Sequence, residues 1–402
     1  MKKFNYIVLT SLLVTGAVCS MLGGCEVDQG NNVGKNKVPV VLNITMSTDR
    51  TPQSRAIVAG ASDAPSVDHI QAFFFSDGML SLRGEKKLVQ NGATFEGVPT
   101  SVDKIYVIGY PTETFTSPVV PEGIVRESDL LKVMVDITAQ TTTDTKLVNS
   151  FGVETVNLSG ITEGTTWKKK IEVKPAISRI EIEKIDPTVT TSSLTIRNKI
   201  KKFNLDYIYI NNTYTQLGLN NTTVPTAGGS VLNYGGYSID SSTAWGNPAT
   251  FFGSNYYDEI TGTKGQTSYS PGISKYWGYY VASLSAAAGK GTTINEVQQT
   301  VLPHIVLKMS NLVLDDGDDD DTNDVTVPGP MFLTIMRYNV KATSEVAAHE
   351  LTQMEPGCVY VINNIAFGLE HLSILPEQPA SDFYVNLTVV DWVNVLVNGD
   401  VD

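Results

Sequence analysis

Apolar and polar residues alternate with a period of two along much of this chain, and that pattern limits its fold more than any other feature. Between Val38 and Met46, the side chains of Val38, Val40, Leu42, Ile44 and Met46 fall on one face, with Pro39, Asn43 and Thr45 on the other. Successive side chains of an extended strand point to opposite sides, so the segment reads as a half-buried β-strand. Ile180 and Ile182 alternate with Arg179, Glu181 and Glu183; Phe383, Val385, Leu387 and Val389 alternate with Asn386 and Thr388. Leu131, Val133, Val135 and Ile137 do the same, but Leu130, Val133, Met134 and Ile137 also make a helical stripe, so that segment fits either structure. Asn91-Gly92, Pro271-Gly272, Pro328-Gly329-Pro330 and Pro356-Gly357 punctuate the runs as turns. The pattern predicts a mostly β protein. At about 100 to 200 residues per domain, the 402 residues have room for two β-sandwiches.

The amino end follows a different logic. Lys2 and Lys3 precede a charge-free apolar stretch containing Ile7, Val8, Leu9, Leu12, Leu13 and Val14, the layout of a secretory signal. It closes on Leu22, Gly23, Gly24 and Cys25, which resembles the lipobox of bacterial lipoproteins, with Cys25 as the lipid acceptor. Cys19 is the rival, but bulky Val18 precedes it. With Cys19 removed and Cys25 acylated, Cys358 is the one thiol left, and no internal disulfide is expected.

The net charge of −13 argues against a nucleic-acid partner, which needs clustered Lys and Arg. Lys168, Lys169 and Lys170 read as a solvated strand end. The run Asp315, Asp316, Asp318, Asp319, Asp320 and Asp321 lacks the spacing of an EF-hand loop and reads as hydrated. His349-Glu350 opens like a zinc-protease helix, yet Gln353 stands where the second histidine belongs. His69, His304, His349 and His371 are not at metal-pair spacing, and no nucleophile elbow or phosphate loop occurs. No enzyme, cofactor or metal is therefore expected. Trp245, Phe251, Phe252, Tyr256, Tyr257, Tyr269, Tyr276, Trp277, Tyr279 and Tyr280 crowd one region, where rings suit either glycan contact or an insertion packed on itself.

Several segments together resemble the FimA-type fimbrillins, the type V pilins of Bacteroidales. They are the lipobox at Cys25, the Val38 to Met46 alternation, the Arg55-Ala56 step and the junction Lys174-Pro175-Ala176-Ile177-Ser178-Arg179-Ile180-Glu181-Ile182. The runs Tyr207-Ile208-Tyr209-Ile210-Asn211-Asn212-Thr213-Tyr214 and Tyr360-Val361-Ile362-Asn363-Asn364-Ile365, and the closing Val389-Val390-Asp391-Trp392-Val393, complete the set. The resemblance implies two transthyretin-like β-sandwiches in tandem, at 56–175 and 176–402, after a signal at 1–24 and a propeptide at 25–55. It also implies delivery to the outer membrane as a lipoprotein and cleavage after Arg55 by an arginine-specific protease, leaving Ala56 first. Polymerisation with other copies and related fimbrial subunits would follow, with adhesion to a host or bacterial surface ligand. In that scheme Val38, Val40, Leu42, Ile44 and Met46 form a plug strand, and Val393, Val395 and Val397 form a donor strand. A tip or anchor subunit, or a glycan-binding surface lipoprotein, are the alternatives.

Replacing Cys25 by Ala should abolish incorporation of labelled fatty acid into the protein. Persistent label on the variant would place the acceptor at Cys19 or elsewhere.

Overall fold

The computed structural model describes residues 37–46, 65–115, 118–139, 148–187, 199–219, 231–235, 238–272, 276–283, 301–315, 324–342, 347–378 and 383–391. The chain is mostly β. Its first alternating segment forms β1 (Lys37–Met46), followed by β2 (His69–Ser76), β3 (Met79–Lys87), β4 (Gly92–Pro99) and β5 (Lys104–Tyr110). A short β6 (Met134–Asp136), β7 (Ser150–Thr155) and β8 (Trp167–Pro175) come next.

All of these except β6 join one sheet, in the order β3-β2-β5-β7-β8-β1-β4. The sheet folds over on itself, so that Ile70, Ala72, Phe74, Ile105 and Val107 from one half meet Val38, Val40, Leu42, Phe95, Val98, Ile171 and Val173 from the other. The fold occurs between β7 and β8, whose ladder consists of Ser150 with Pro175 and Phe151 with Lys174. Strand β2 carries Phe73, Phe74 and Phe75 in succession, all fully buried. Both its faces are covered, which is why its sequence is continuously apolar. Phe74 enters the core just described; Phe73 and Phe75 pack with Tyr106, Ile108, Leu130, Val133 and Val135 on the far side.

That second packing resolves the ambiguous segment around Leu130. Glu127–Leu130 is a single helical turn, with buried Leu130 anchoring it, and β6 follows as a strand paired with Gln216–Gly218. The helical turn thus ends where the segment begins, and Met134–Asp136 within it is strand, with Ile137 opening a short 3-10 helix.

After Pro175 the chain leaves this sheet. Ser178–Ile182 enters a six-stranded sheet between Trp277–Val281 and Cys358–Ile362, which continues through Tyr384–Asp391, Arg337–Val340 and His349–Glu350. Opposite it, Ile200–Asn211 pairs with Tyr257–Glu259 and with His304–Leu314, which in turn pairs with Met331–Ile335. Ile180, Ile182, Val385 and Leu387 share one core with Ile208, Ile210, Leu307 and Leu333. Burial on the inner faces of two facing sheets explains the alternation from which these strands were read.

The fold over between β7 and β8 depends on close backbone approach. A Cβ on Gly152 would lie 2.3 Å from the Glu172 carbonyl oxygen and 2.8 Å from Val173 Cγ1. No rotamer of a larger residue escapes a backbone atom, so Gly152→Val should destabilise the protein by about 2 to 3 kcal/mol, in the range of overpacking and backbone strain. Chemical denaturation of the two proteins provides the measurement, and equal midpoints would show that the strands can part at no cost.

Candidate functional site

Strand β1 lies inside its sheet rather than along the edge. Val40 to Met46 pair in parallel with Trp167 to Val173 of β8, while Lys37 to Asn43 pair antiparallel with Pro99 to Gly92 of β4. Val38, Val40 and Leu42 are fully buried and Ile44 is 4% exposed; Lys37 and Asn43, on the other face, are exposed. Strand residue Met46 ends the ladder opposite Val173. Leu42 sits in a row between Lys169 and Ala93, and Val40 between Trp167 and Phe95.

Pro39 interrupts this ladder without weakening it. Between the pairs Val38–Val98 and Val40–Phe95, the single residue Pro39 faces two residues of β4, Glu96 and Gly97. Gly97 has φ of 70°, so the extra residue forms a bulge with glycine in the left-handed region. Proline has no N–H to offer, and a bulge is where a strand can do without one.

Among the described residues β4 is joined to the sheet by β1 alone. Strand β1 therefore contributes both core side chains and the backbone partners of two neighbours. The segment that follows it, with Arg55 and Ala56, lies outside the described residues, as do Cys25 and Val393, Val395 and Val397. The Tyr384–Asp391 strand leads directly to the last of these positions and pairs with Cys358–Ile362 and Arg337–Val340.

The aromatic region is largely interior. Trp245, Phe252, Tyr256, Tyr269, Tyr279 and Tyr280 are buried, whereas Phe251, Tyr257, Tyr276 and Trp277 are half-buried. Trp245 and Phe252 pack at 5.2 and 5.1 Å from the Tyr209 ring, so these rings form an insertion that closes over one strand. The Asn211-Asn212 step ending that strand has a defined task. Asn211 Nδ2 donates to the Tyr234 carbonyl at 3.0 Å and to Glu377 Oε1 at 2.7 Å, and Asn212 turns the chain with φ of 55°. Glu377 also holds His304, Nδ1 to Oε2, at 2.7 Å, with both side chains buried.

Arg179 and Glu181 depart from the sequence reading. Alternation placed them on a polar face, yet both are 1% exposed. Arg179 Nε donates to Glu181 Oε1 at 2.8 Å, and its guanidinium lies over the Tyr276 and Tyr280 rings at 5.2 and 5.1 Å. Gly278 makes room for it, since a Cβ there would fall 2.1 Å from Nη2. Burial pushes the Tyr280 phenol up to about 12, with the nearby Arg179 acting against the shift. Aromatic faces stand in for water around the cation.

Among the described residues the histidines do not gather into a metal centre. His349 and Glu350 lie exposed on a short strand, with Arg337 paired to Glu350 at 2.8 Å. Among the described residues no three His, Cys, Asp or Glu side chains converge to hold a metal ion, and no helix is long and apolar enough to cross a membrane. Cys358 is buried in its strand. Of the acidic run, Asp315 is described and the other five aspartates lie outside the described residues.

No protein-family model and no curated protein sequence matches the chain. Solved structures do. A candidate cell adhesion protein from Parabacteroides distasonis superposes with a TM-score of 0.58 at 12% identity, over 89% of this chain and 99% of that one. Another from Bacteroides eggerthii gives 0.49 at 16% identity, over 91% and 99%. The fimbrilin FimA of Porphyromonas gingivalis gives 0.49 at 12% identity, over 90% and 99%. At such identities the likeness to the Parabacteroides protein is one of fold.

Leu42 is the test of how much β1 contributes to its sheet. Leu42→Ala should cost about 2 to 5 kcal/mol, the range for truncating a buried leucine, whereas exposed Asn43→Ala should cost under about 0.5 kcal/mol. Denaturant titration of the unprocessed protein distinguishes the two, and similar midpoints would place β1 outside the cooperative core.

Proposed function

We propose that this chain is a structural subunit of a surface fimbria, exported as an outer-membrane lipoprotein through Cys25, cleaved after Arg55 and polymerised by strand exchange. The observation that carries the proposal is the placement of β1 between β4 and β8, upstream of the Arg55-Ala56 step in the sequence. A strand that is detachable by one cut and that fills the middle of a sheet leaves a vacancy of defined shape.

The energetics favour a switch. Burying Val38, Val40, Leu42 and Ile44 is worth roughly 1.5 to 3 kcal/mol each before ordering costs. While β1 is covalently attached it faces its slot at an effective concentration of order millimolar or higher, so a strand from another molecule competes poorly. Cleavage after Arg55 ends that advantage. Departure of β1 leaves bare edges on β4 and β8 and an apolar slot between them, and such edges pair readily with an incoming strand. Val393, Val395 and Val397 supply the required period-two face.

In this scheme the residues up to Arg55 are removed, leaving 402 − 55, or 347, residues beginning at Ala56. The net charge moves from −13 to 23 − 39, or −16, because the removed part carries six basic and three acidic residues. The mature body comprises a first sandwich to about Pro175 and a second after it, and its partners are copies of itself and related fimbrial subunits. The shaft role is preferred to a tip or anchor because Val393, Val395 and Val397 repeat the apolar alternation of the propeptide strand. A glycan-binding lipoprotein draws less support, since most of the rings that suggested it are buried.

Cleavage by a trypsin-like protease should yield fibres visible by electron microscopy, with an amino terminus at Ala56. Deleting residues 393–402 should leave processing and thermal melting unchanged and abolish the fibres. An early, broad melt would assign those residues to the subunit's own core, and normal fibres from the deletion variant would end the donor-strand reading.

A further inference from the structure

Ile44 holds a distinct place in the inward row of β1. The ladder with β4 ends at Asn43 and Gly92, so Val40 and Leu42 are flanked by both neighbouring strands, whereas Ile44 lies beyond that ladder and pairs with β8 alone, beside Ile171. It is nonetheless 4% exposed and packs in the same core as Ile171 and Val173. Its N–H reaches the Asn91 carbonyl at 2.8 Å, one step past the last ladder pair.

The C-terminal sequence repeats the row up to this position and departs at it. Val38, Val40, Leu42 and Asn43 correspond in order to Val393, Val395, Val397 and Asn398, with apolar Val41 and Leu396 at matching places; the next residue is Ile44 in β1 and Gly399 in the C-terminal segment. Asn43 is exposed on the outward side, where its Oδ1 would lie 3.4 Å from a Cβ on Gly92. Thr45, opposite Glu172, corresponds to Asp400, which would set like charges across that rung.

A strand can slip only by two residues if its apolar face is to stay inward. One such slip puts Gly399 in the place of fully buried Leu42, in the middle of both ladders. The opposite slip puts Asp391 in the place of fully buried Val38, although Asp391 already pairs with Cys358 in its own sheet and a carboxylate in that core would have no water. Setting Val393 at Val38 confines the mismatch to the end of the slot. We infer that Ile44 is the residue by which the slot distinguishes its own plug from the C-terminal segment of a second copy: both fill the places of Val38, Val40 and Leu42, and β1 alone fills that of Ile44. The assignment rests on the strand exchange proposed above. An unfilled apolar place weakens the occupant that leaves it. The C-terminal segment is therefore the weaker of the two at equal concentration, and it takes the slot once cleavage has let β1 diffuse away.

The experiment uses the full chain, cut after Arg55, with β1 still seated, and measures displacement of β1 by peptides of residues 392–402. The natural sequence is compared with Gly399→Ile and with Asn394→Ile, which places an isoleucine on the outward side instead. Gly399→Ile should displace β1 at about one tenth of the concentration that the natural peptide needs, and Asn394→Ile should match the natural peptide. Register is read on a Thr94→Cys protein, an exposed position opposite Val41. Leu396→Cys in the peptide should form a disulfide with it, while Asn394→Cys and Asn398→Cys should not. No gain from Gly399→Ile, an equal gain from Asn394→Ile, or cross-linking through Asn394→Cys or Asn398→Cys overturns the role of Ile44. Failure of every C-terminal peptide to displace β1, where a fluorescent Lys37–Met46 peptide does exchange with it, instead overturns the donor-strand reading. Failure of that peptide as well overturns the slot itself.

Discussion

Two-sided pairing of β1 is the constraint on which the first sheet depends. A strand at an edge can be lost at the cost of one ladder, but β1 holds β4 on one side and the leading part of β8 on the other. It also places Val38, Val40, Leu42 and Ile44 against Ile70, Phe74 and Ile105 in the facing half of the sheet. Backbone pairing and core packing thus converge on ten residues that precede the rest of the sheet in the chain. A fold organised this way is stable while the strand is present and incomplete without it. In the proposed scheme, that property makes a removable strand a control on assembly.

Elsewhere the architecture contains charges where apolar residues would pack more simply. Arg179 with Glu181 and His304 with Glu377 are buried pairs, each fixed by further polar or aromatic contacts. Such pairs offer little net stability because desolvation offsets their attraction, while the loss of one partner strands a charge. Glu377, in the left-handed region with φ of 57°, ties its loop to Asn211 and His304, and its own N–H donates to Thr334 Oγ1 at 3.1 Å. Arg179 joins adjacent strands of the six-stranded sheet near the point where the chain leaves the first.

The fold class was legible in the sequence because the period of a strand is a local property. Val38 to Ile44 announces an inward row without any knowledge of what lies opposite, and Phe383 to Val389 does the same. A local signal also marks the turn at Asn91-Gly92. The Leu130 region resisted assignment because two periods overlap there; a helical turn ends at Leu130 and a strand runs over Met134–Asp136. The triple Phe73-Phe74-Phe75 carried information that alternation alone could not decode: a strand buried on both faces loses its period.

What the amino-acid sequence determined by itself was the mostly β class, the alternating strands around Val38–Met46, Ile180–Ile182 and Phe383–Val389, and the inward face of β1, since each depends on neighbours in the chain. Tertiary structure alone decided which strands flank β1, that Arg179 and Glu181 are interior, that the rings around Trp245 close over Tyr209, and that Lys169 turns inward to Glu154. Those outcomes depend on partners from 15 residues away, as between Glu154 and Lys169, to well over a hundred, as between β1 and β8. A charged residue in an alternating run has the same local pattern whether water or an aromatic ring awaits it, and the difference arises only when distant strands supply the second face.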